Sequence, residues 1–335
     1  MAEMRTFDRV GVVGAGGWGT ALALLLHENA FPVTLWGHNS GEIARIAAQK
    51  ENAVYLPGVA LPETLDWTSE LDRLAPCDLL LLVTPSKAFR EVTARLSTLS
   101  LNPQAVLLSC TKGVERGSGL RMSQILSETF PDHIVAALSG PSHAEEVARK
   151  KVTAVSIACA DQDAALRMQR AFSTGFFRAY TNDDVAGVEL GGALKNIFAI
   201  AAGVSDGLGL GDNTKAALVT RALAEMVRLG TTLGGRRETF MGLSGIGDLM
   251  VTCFSQHSRN RRVGERLGRG ERLADIVASM QMVAEGVPTT YSAFECGRKF
   301  GVETPIIDQV RAILDGTTSP RDALTNLLSR EPRPE

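Results

Sequence analysis

No two cysteines in this chain are spaced as CxxC, and their total of five is odd. That pattern argues against both a disulfide framework and a cysteine zinc site. Long hydrophobic runs are missing as well. The longest uncharged apolar pieces are LLLLV at 79 to 83 and IFAIAAGV at 197 to 204, short of the roughly 20 residues that a helix needs to cross a bilayer. The opening MAEMRTFDRVGVVGAG lacks the hydrophobic core and small-residue cleavage site of a signal peptide. A cationic excess is absent too: with a net charge of −2, no global field gathers nucleic acid. Neither internal repeats nor low-complexity segments occur, and only the tail SREPRPE reads as unstructured. What remains is a chain of 335 residues, enough for two domains with separate cores. It is expected in the cytoplasm, with no membrane span and no nucleic-acid partner.

The first half alternates short β-rich apolar runs with helical patterns, as a parallel sheet with crossover helices does. Strands are expected at RVGVVGAG (9 to 16), PVTLWG (32 to 37), CDLLLLVTP (77 to 85), AVLLSCTKG (105 to 113) and HIVAALSGPS (133 to 142). VTAVSIACA (152 to 160) and FFRAYTNDD (176 to 184) extend the sheet. The clearer strands end in small, polar or turn-forming residues: Gly14-Ala15-Gly16, Gly37-His38, Thr84-Pro85-Ser86, Thr111-Lys112-Gly113 and Ser139-Gly140-Pro141-Ser142. Ligands of a doubly wound sheet bind outside the carboxyl ends of its strands, so these ends mark a functional edge. After about residue 185 the strand signals stop, and segments of helical period follow, divided by Gly, Pro and Asp or Asn.

GAGGWG sets Gly14, Gly16 and Gly19 in the G-x-G-x-x-G spacing, directly after a strand and before the helical pattern TALALLLHENA. Gly14 permits a tight turn, Gly16 lets the backbone approach a pyrophosphate, and Gly19 lets helix pack closely on strand. The helix start then offers unpaired N–H groups to phosphate. These features describe a dinucleotide site rather than a merely structural glycine turn. The expected architecture is a Rossmann-type, doubly wound, mostly parallel α/β domain over residues 1–185, followed by an all-α domain over 186–335. An NAD-selective site usually carries an acidic residue about 20 positions on, to hold the ribose 2′-hydroxyl. Here that place reads Trp36-Gly37-His38-Asn39-Ser40, and the first carboxylate, Glu42, falls in the next helix. A 2′-phosphate is accommodated, with His38 either its candidate donor or a surface turn residue.

Other motifs carry charge. Lys112 stands at the mouth of a strand, facing the ligand crevice or solvent, and Gly140 and Ser142 join the same edge. LSGIGDLMVTCFSQHSRNRR (243 to 262) sets Asp248 between glycine-rich backbone and an apolar run, where a carboxylate is costly unless paired or hydrogen-bonded. Arginines just downstream suit an anionic substrate, although Arg261, Arg262, Arg266 and Arg269 read as a solvated face. Within GGALKNIFAIAAGVSDG (191 to 207), Lys195 shares its helical face with Gly191, Gly192, Ala199, Ala202 and Gly203, and Phe198 is the one large neighbour. A backbone or a ligand can approach so small a face. Either the ammonium snorkels to water along its own stem, or it serves a site.

Taken together, these motifs resemble the NAD(P)-dependent glycerol-3-phosphate dehydrogenases in their bacterial biosynthetic form. The resemblance spans nearly the whole chain through GAGGWGTALA, CTKG, SGPSHAEE, ELGGALKNIFAIAAGVSDGLGLGDNTKAAL, GLSGIGDLMVTC, SRNRRVG and VAEG. It implies reversible reduction of dihydroxyacetone phosphate to sn-glycerol 3-phosphate for phospholipid synthesis, with NADP(H) or NAD(H) as cofactor and no metal. It places Gly17, Trp18, His38, Ala144, Val283 and Glu285 with the motif glycines in the cofactor site. Lys112 touches cofactor and substrate, and Arg259 sits where both ligands meet. Gly140, Ser142, Asp248, Ser258 and Asn260 contact the substrate. Lys195 is the implied proton donor and acceptor, supported by Asn196 and by Thr252 at the substrate. A homodimer is the expected assembly. Two other readings are a reductase of a β-hydroxyacid or of ketopantoate, which shares the Rossmann half and a helical lysine, and a dinucleotide-sensing regulator with a dead site. The second leaves Lys195, Asp248 and Arg259 without a purpose.

Because no acidic residue closes the second strand, NADPH is expected to be oxidised with dihydroxyacetone phosphate at least as well as NADH. Spectrophotometric rates with the two cofactors check this. A clear preference for NADH that survives His38→Ala contradicts the reading of that strand end.

Overall fold

Val10–Val13, Leu79–Leu82 and Val106–Ser109 are buried at every position, as strands in the middle of a sheet covered on both faces must be. In the computed structural model, which describes residues 7–280 and 282–331, they are three of eight strands. The residues read above for a signal peptide fall partly outside that range, as do the last four of the tail. The strands are β1 (Val10–Val13), β2 (Val33–Trp36), β3 (Asp66–Thr68), β4 (Leu79–Leu82), β5 (Val106–Ser109), β6 (Ile134–Ser139), β7 (Thr153–Cys159) and β8 (Phe177–Asn182). Their order in the sheet is β3-β2-β1-β4-β5-β6-β7-β8. Every neighbouring pair is parallel except β6 with β7. The expected mostly parallel sheet is observed, with one strand more than the sequence signalled. β3 is a three-residue edge strand carrying an aspartate, too short and too polar to show a period.

The connecting helices are α1 (Gly17–Glu28), α2 (Ser40–Gln49), α3 (Ser86–Leu96), α4 (Met122–Thr129), α5 (Ala144–Val147) and α6 (Gln162–Phe172). The chain leaves β1 for β2 on one side and returns to β4 on the other, so the topological switch point lies at the ends of β1 and β4. One core joins alternate residues of the strands, such as Val10, Val12, Leu79 and Leu81, to α1 and α6 through Leu22, Leu25, Met168 and Phe172.

Beyond β8 the described residues are helical: α7 (Val185–Gly207), α8 (Gly211–Thr232), α9 (Arg237–Phe240), a π turn (Leu243–Gly247), α10 (Asp248–Phe254), α11 (Arg259–Gly268), α12 (Leu273–Ala278), α13 (Gly286–Phe300), α14 (Pro305–Leu314) and α15 (Pro320–Leu328). Their core gathers Leu194, Ile197, Phe198, Met226, Phe240, Leu249 and Ile307. By length and composition α7 could cross a bilayer, although the uncharged runs in it are short. Most of it is buried inside the protein, so it is the core helix of this region.

The chain divides into two compact units, one running to Lys112 and resuming over Arg121–Glu189, the other made of Gly113–Leu120 and everything from Leu190. Specific bonds explain why Gly113–Leu120 belongs with the helices. The Val114 carbonyl accepts from Ser292 Oγ at 2.9 Å, Gly117 N–H donates to Glu295, and the Arg116 guanidinium lies 4.8 Å over the Tyr291 ring.

In the helical unit, the buried Glu225 carboxylate of α8 accepts N–H bonds from Ile306 and Ile307 at 3.0 and 2.9 Å, capping the start of α14. Burial pushes its carboxyl up to about 7, against the opposing pull of those two N–H groups and Arg228. Between the ordinary value of 4.5 and about 7 the folded chain therefore holds a proton that the unfolded chain has lost. Stability from this group is greatest below that window and is lost as pH rises through it. Melting temperatures of the native protein and Glu225→Gln, followed from the bottom of the window to its top, are expected to converge as the native protein loses this advantage. An offset that stays constant across the window contradicts the assignment.

Candidate active site

Lys195 does not reach for water. Its side chain is only 8% exposed, and Nζ donates to Asp248 Oδ1 at 2.5 Å and to Thr252 Oγ1 at 2.6 Å. The Thr252 hydroxyl in turn donates to the Asp248 carbonyl at 2.6 Å. Asp248 opens α10, where a carboxylate also favours the helix dipole, and Thr252 lies one turn on along the same face. Glycines bring that turn against α7. A Cβ on Gly191 would stand 2.4 Å from the Ser244 carbonyl, and one on Gly245 2.0 Å from the Phe240 carbonyl. The small-residue face of α7 is therefore occupied largely by backbone. Gly203 packs against the Arg261 carbonyl, and its helix neighbour Gly207 against Glu265. Lys195 leaves along the side that carries Asp248.

The next residue continues the arrangement. Asn196 Oδ1 accepts from Asn260 Nδ2 at 2.8 Å, and Asn260 Oδ1 accepts from Gly286 N–H at 2.9 Å. Asn260, expected at the substrate, thus braces α7, α11 and the start of α13 with both ends of its amide. The buried Ser258 hydroxyl caps α11 by accepting from Arg261 N–H. Arg259 is exposed and donates to the Val283 carbonyl at 3.0 Å, which joins two of the expected cofactor residues. Glu285 is half-buried and stands just before α13. Cys253, beside Thr252, is a buried thiol whose pKa burial pushes up to about 12, so it remains protonated.

In the sheet-bearing unit, the glycine loop follows β1. Gly14 has φ +127, and a Cβ there would stand 2.8 Å from the Val83 carbonyl. A Cβ on Gly19 would lie 1.9 Å from the Gly14 carbonyl, whereas one on Gly16 would meet nothing within 4 Å. Crowding requires glycine at 14 and 19, and open space lies at Gly16. No side chain caps the start of α1, so its first N–H groups fit a pyrophosphate. Gly17 packs against the Tyr55 carbonyl and near Ala144, and the indole of Trp18 packs on the core. His38 is exposed just past β2. Lys112 Nζ and Ser142 Oγ both donate to the Gly140 carbonyl, at 3.1 and 3.0 Å. Gly140 has φ +146 and leaves no room for a Cβ against Val155, so Lys112, Gly140 and Ser142 form one cluster.

Three contributors escaped the sequence reading. Buried Asn52 donates to the Ala15 carbonyl at 2.9 Å and to Thr20 Oγ1 at 2.8 Å, pinning the glycine loop. No local signal marks a single asparagine in a turn. Asp206 and Lys215 form a pair that also holds Arg261. Arg261 is thereby removed from the solvated face expected of it; Arg262 is exposed, and Arg266 and Arg269 pair with Glu271 and Glu265.

A family model described as the C-terminus of NAD-dependent glycerol-3-phosphate dehydrogenase matches residues 184–325, and one described as its N-terminus matches residues 9–165. The chain is 46% identical over 332 residues to the Geobacter sulfurreducens protein named glycerol-3-phosphate dehydrogenase, NAD(P)+, covering 98% of this chain and 99% of that one. Identity is 47% over 330 residues to the protein of the same name from Syntrophotalea carbinolica, with coverages of 97% and 99%. Among solved structures, glycerol-3-phosphate dehydrogenase from Coxiella burnetii matches with a TM-score of 0.93 at 39% identity, covering 97% of this chain and 100% of that one.

Proposed function

The chain belongs to the NAD-dependent glycerol-3-phosphate dehydrogenase family, and from that premise we propose that Lys195 is the proton donor and acceptor of the family's reaction. The reaction is reversible, NAD(P)H-dependent reduction of dihydroxyacetone phosphate to sn-glycerol 3-phosphate. The observation that carries the proposal is an ammonium buried beside Asp248 and Thr252. When bound, the nicotinamide supplies the hydride for C2 of the substrate. Negative charge then grows on the C2 oxygen, and the Lys195 ammonium stabilises it and gives it a proton. In the reverse direction the lysine takes that proton from the C2 hydroxyl. Asp248 supplies the counter-charge, and Thr252 aims Nζ by accepting from it. Asn196 completes this group by fixing Asn260.

Arg259 and Lys112 are the proposed cationic partners of the phosphorylated substrate, with Ser142, Gly140, Ser258 and Asn260 lining its place. A guanidinium fork matches phosphate geometry. The cofactor's pyrophosphate is assigned to the uncapped start of α1 over Gly16, flanked by Gly17, Trp18 and Ala144, with His38 at the ribose 2′ position. Val283 and Glu285 complete the cofactor set. On this reading residues 1–185 serve the dinucleotide and 186–335 chiefly the substrate. The enzyme works as a homodimer in the cytoplasm and supplies glycerol phosphate for phospholipid synthesis.

Lys195→Met removes charge and proton but keeps the apolar stem. It is expected to bind NADPH and to lose about 100- to 10,000-fold in turnover of dihydroxyacetone phosphate. The melting point should fall as well, because Asp248 is left buried without its cation. Rates are therefore compared at a temperature where circular dichroism shows both proteins folded. Ordinary turnover in the folded variant returns Lys195 to a structural role.

A further inference from the structure

Asp206 stands about three turns beyond Lys195 on α7, and two cations hold its carboxylate. Lys215 Nζ donates to both oxygens at 2.8 Å, and Arg261 Nε donates to Oδ2 at 2.6 Å. Each cation comes from a different helix. Lys215 belongs to α8 and also lies 5.0 Å over the ring of Phe254, the last residue of α10. Arg261 belongs to α11, two residues past Arg259. One carboxylate therefore links α7, α8 and α11 directly, and α10 through Lys215. Three of these four helices carry the proposed catalytic and substrate groups. The Asp206, Lys215 and Arg261 side chains are 21%, 9% and 17% exposed, so solvent screens the cluster less than it would a surface pair.

The contact between α7 and α11 gives this cluster a particular task. Gly203 and Gly207 of α7 meet Gly264 and Gly268 of α11 backbone to backbone. A Cβ on Gly264 would stand 1.9 Å from the Ile200 carbonyl, and one on Gly268 2.6 Å from that of Val204. Interdigitating side chains set the register of most helix pairs, and a glycine contact supplies few. Val263 and Leu267 of α11 pack in the same core as Ile200 and Val204 of α7, and polar pins add directional contacts along the seam. Asn196 with Asn260 forms one, and Asp206 with Arg261 forms another further along α7.

We propose that Asp206 is a positioning residue for substrate binding: through Arg261 and Lys215 it fixes the register of α11 on α7, and so the placement of Ser258, Arg259 and Asn260 relative to Lys195. The proposal rests on the reading that Lys195 and Arg259 serve the phosphorylated substrate. Asp206 is not among the residues assigned above to substrate or cofactor. An ion pair that contributed stability alone would, on removal, lower the melting point and the active fraction while KM stayed unchanged.

Asp206→Asn keeps the shape and removes the charge that Lys215 and Arg261 share, leaving Arg261 only its 3.8 Å approach to Glu265 within α11. Its KM for dihydroxyacetone phosphate is expected to rise about tenfold or more, with a smaller change in kcat per folded site. Calorimetric titration with sn-glycerol 3-phosphate should weaken in parallel. Arg261→Met should behave alike, and Arg261→Lys should recover part of the loss because the charge is kept without the planar fork. If Asp206→Asn is not recovered folded, the two Arg261 variants decide the matter. Native KM in the folded variants, with or without a lower melting point, overturns the proposal. Failure of the underlying reading shows separately, as undiminished turnover in Lys195→Met.

Discussion

An ammonium and a carboxylate 2.5 Å apart, each nearly sealed from water, form the constraint on which the rest of the helical unit depends. Desolvating two such ions is expensive, and removing one partner of a buried pair costs about 3–5 kcal/mol. The pair persists only while α10 is held tight against α7. That closeness comes from glycine. Any side chain at Gly191 would strike the Ser244 carbonyl, and any at Gly245 would strike Phe240. The first collision would push the π turn off α7 and carry Asp248 away from Lys195, and the second would break the turn's own closure on the end of α9.

The sheet-bearing unit uses the same device for a different end. Gly14 and Gly19 allow the β1 turn and α1 to close on one another, and Gly16 is left facing open space at an uncapped helix start. Asn52 ties the loop from below through the Ala15 carbonyl. At the far ends of β5 and β6, the constrained Gly140 carbonyl collects Lys112 and Ser142. In both units a lysine is held by partners that close glycine packing sets in place: Lys112 by the Gly140 carbonyl, Lys195 by the Asp248 and Thr252 side chains.

Features governed by local pattern were legible in the sequence. Continuous apolar runs gave the inner strands, and the spacing of Gly14, Gly16 and Gly19 gave a turn, an approach and a packing contact. The three-residue β3 has no run to read, because its pairing with β2 comes from tertiary structure. The small face of α7 was visible as a place of close approach, yet helical period cannot say whether a backbone or a ligand fills it. Nor can charge letters separate Arg261, which Asp206 holds, from exposed Arg262 one residue on. A related limit applies to Asn260: the family resemblance implied a substrate contact, and only the fold shows it bracing Asn196 and Gly286.

That Lys195 and Asp248 act as one unit is tested most directly by a double-mutant cycle on kcat for dihydroxyacetone phosphate reduction, using Lys195→Met, Asp248→Asn and the pair. If the carboxylate works through the ammonium, adding Asp248→Asn to Lys195→Met should cost little further activity, because the group it serves is already gone. Losses that multiply, each mutation exerting its full effect in the presence of the other, would mean that Asp248 acts on the reaction independently and would contradict the coupled pair.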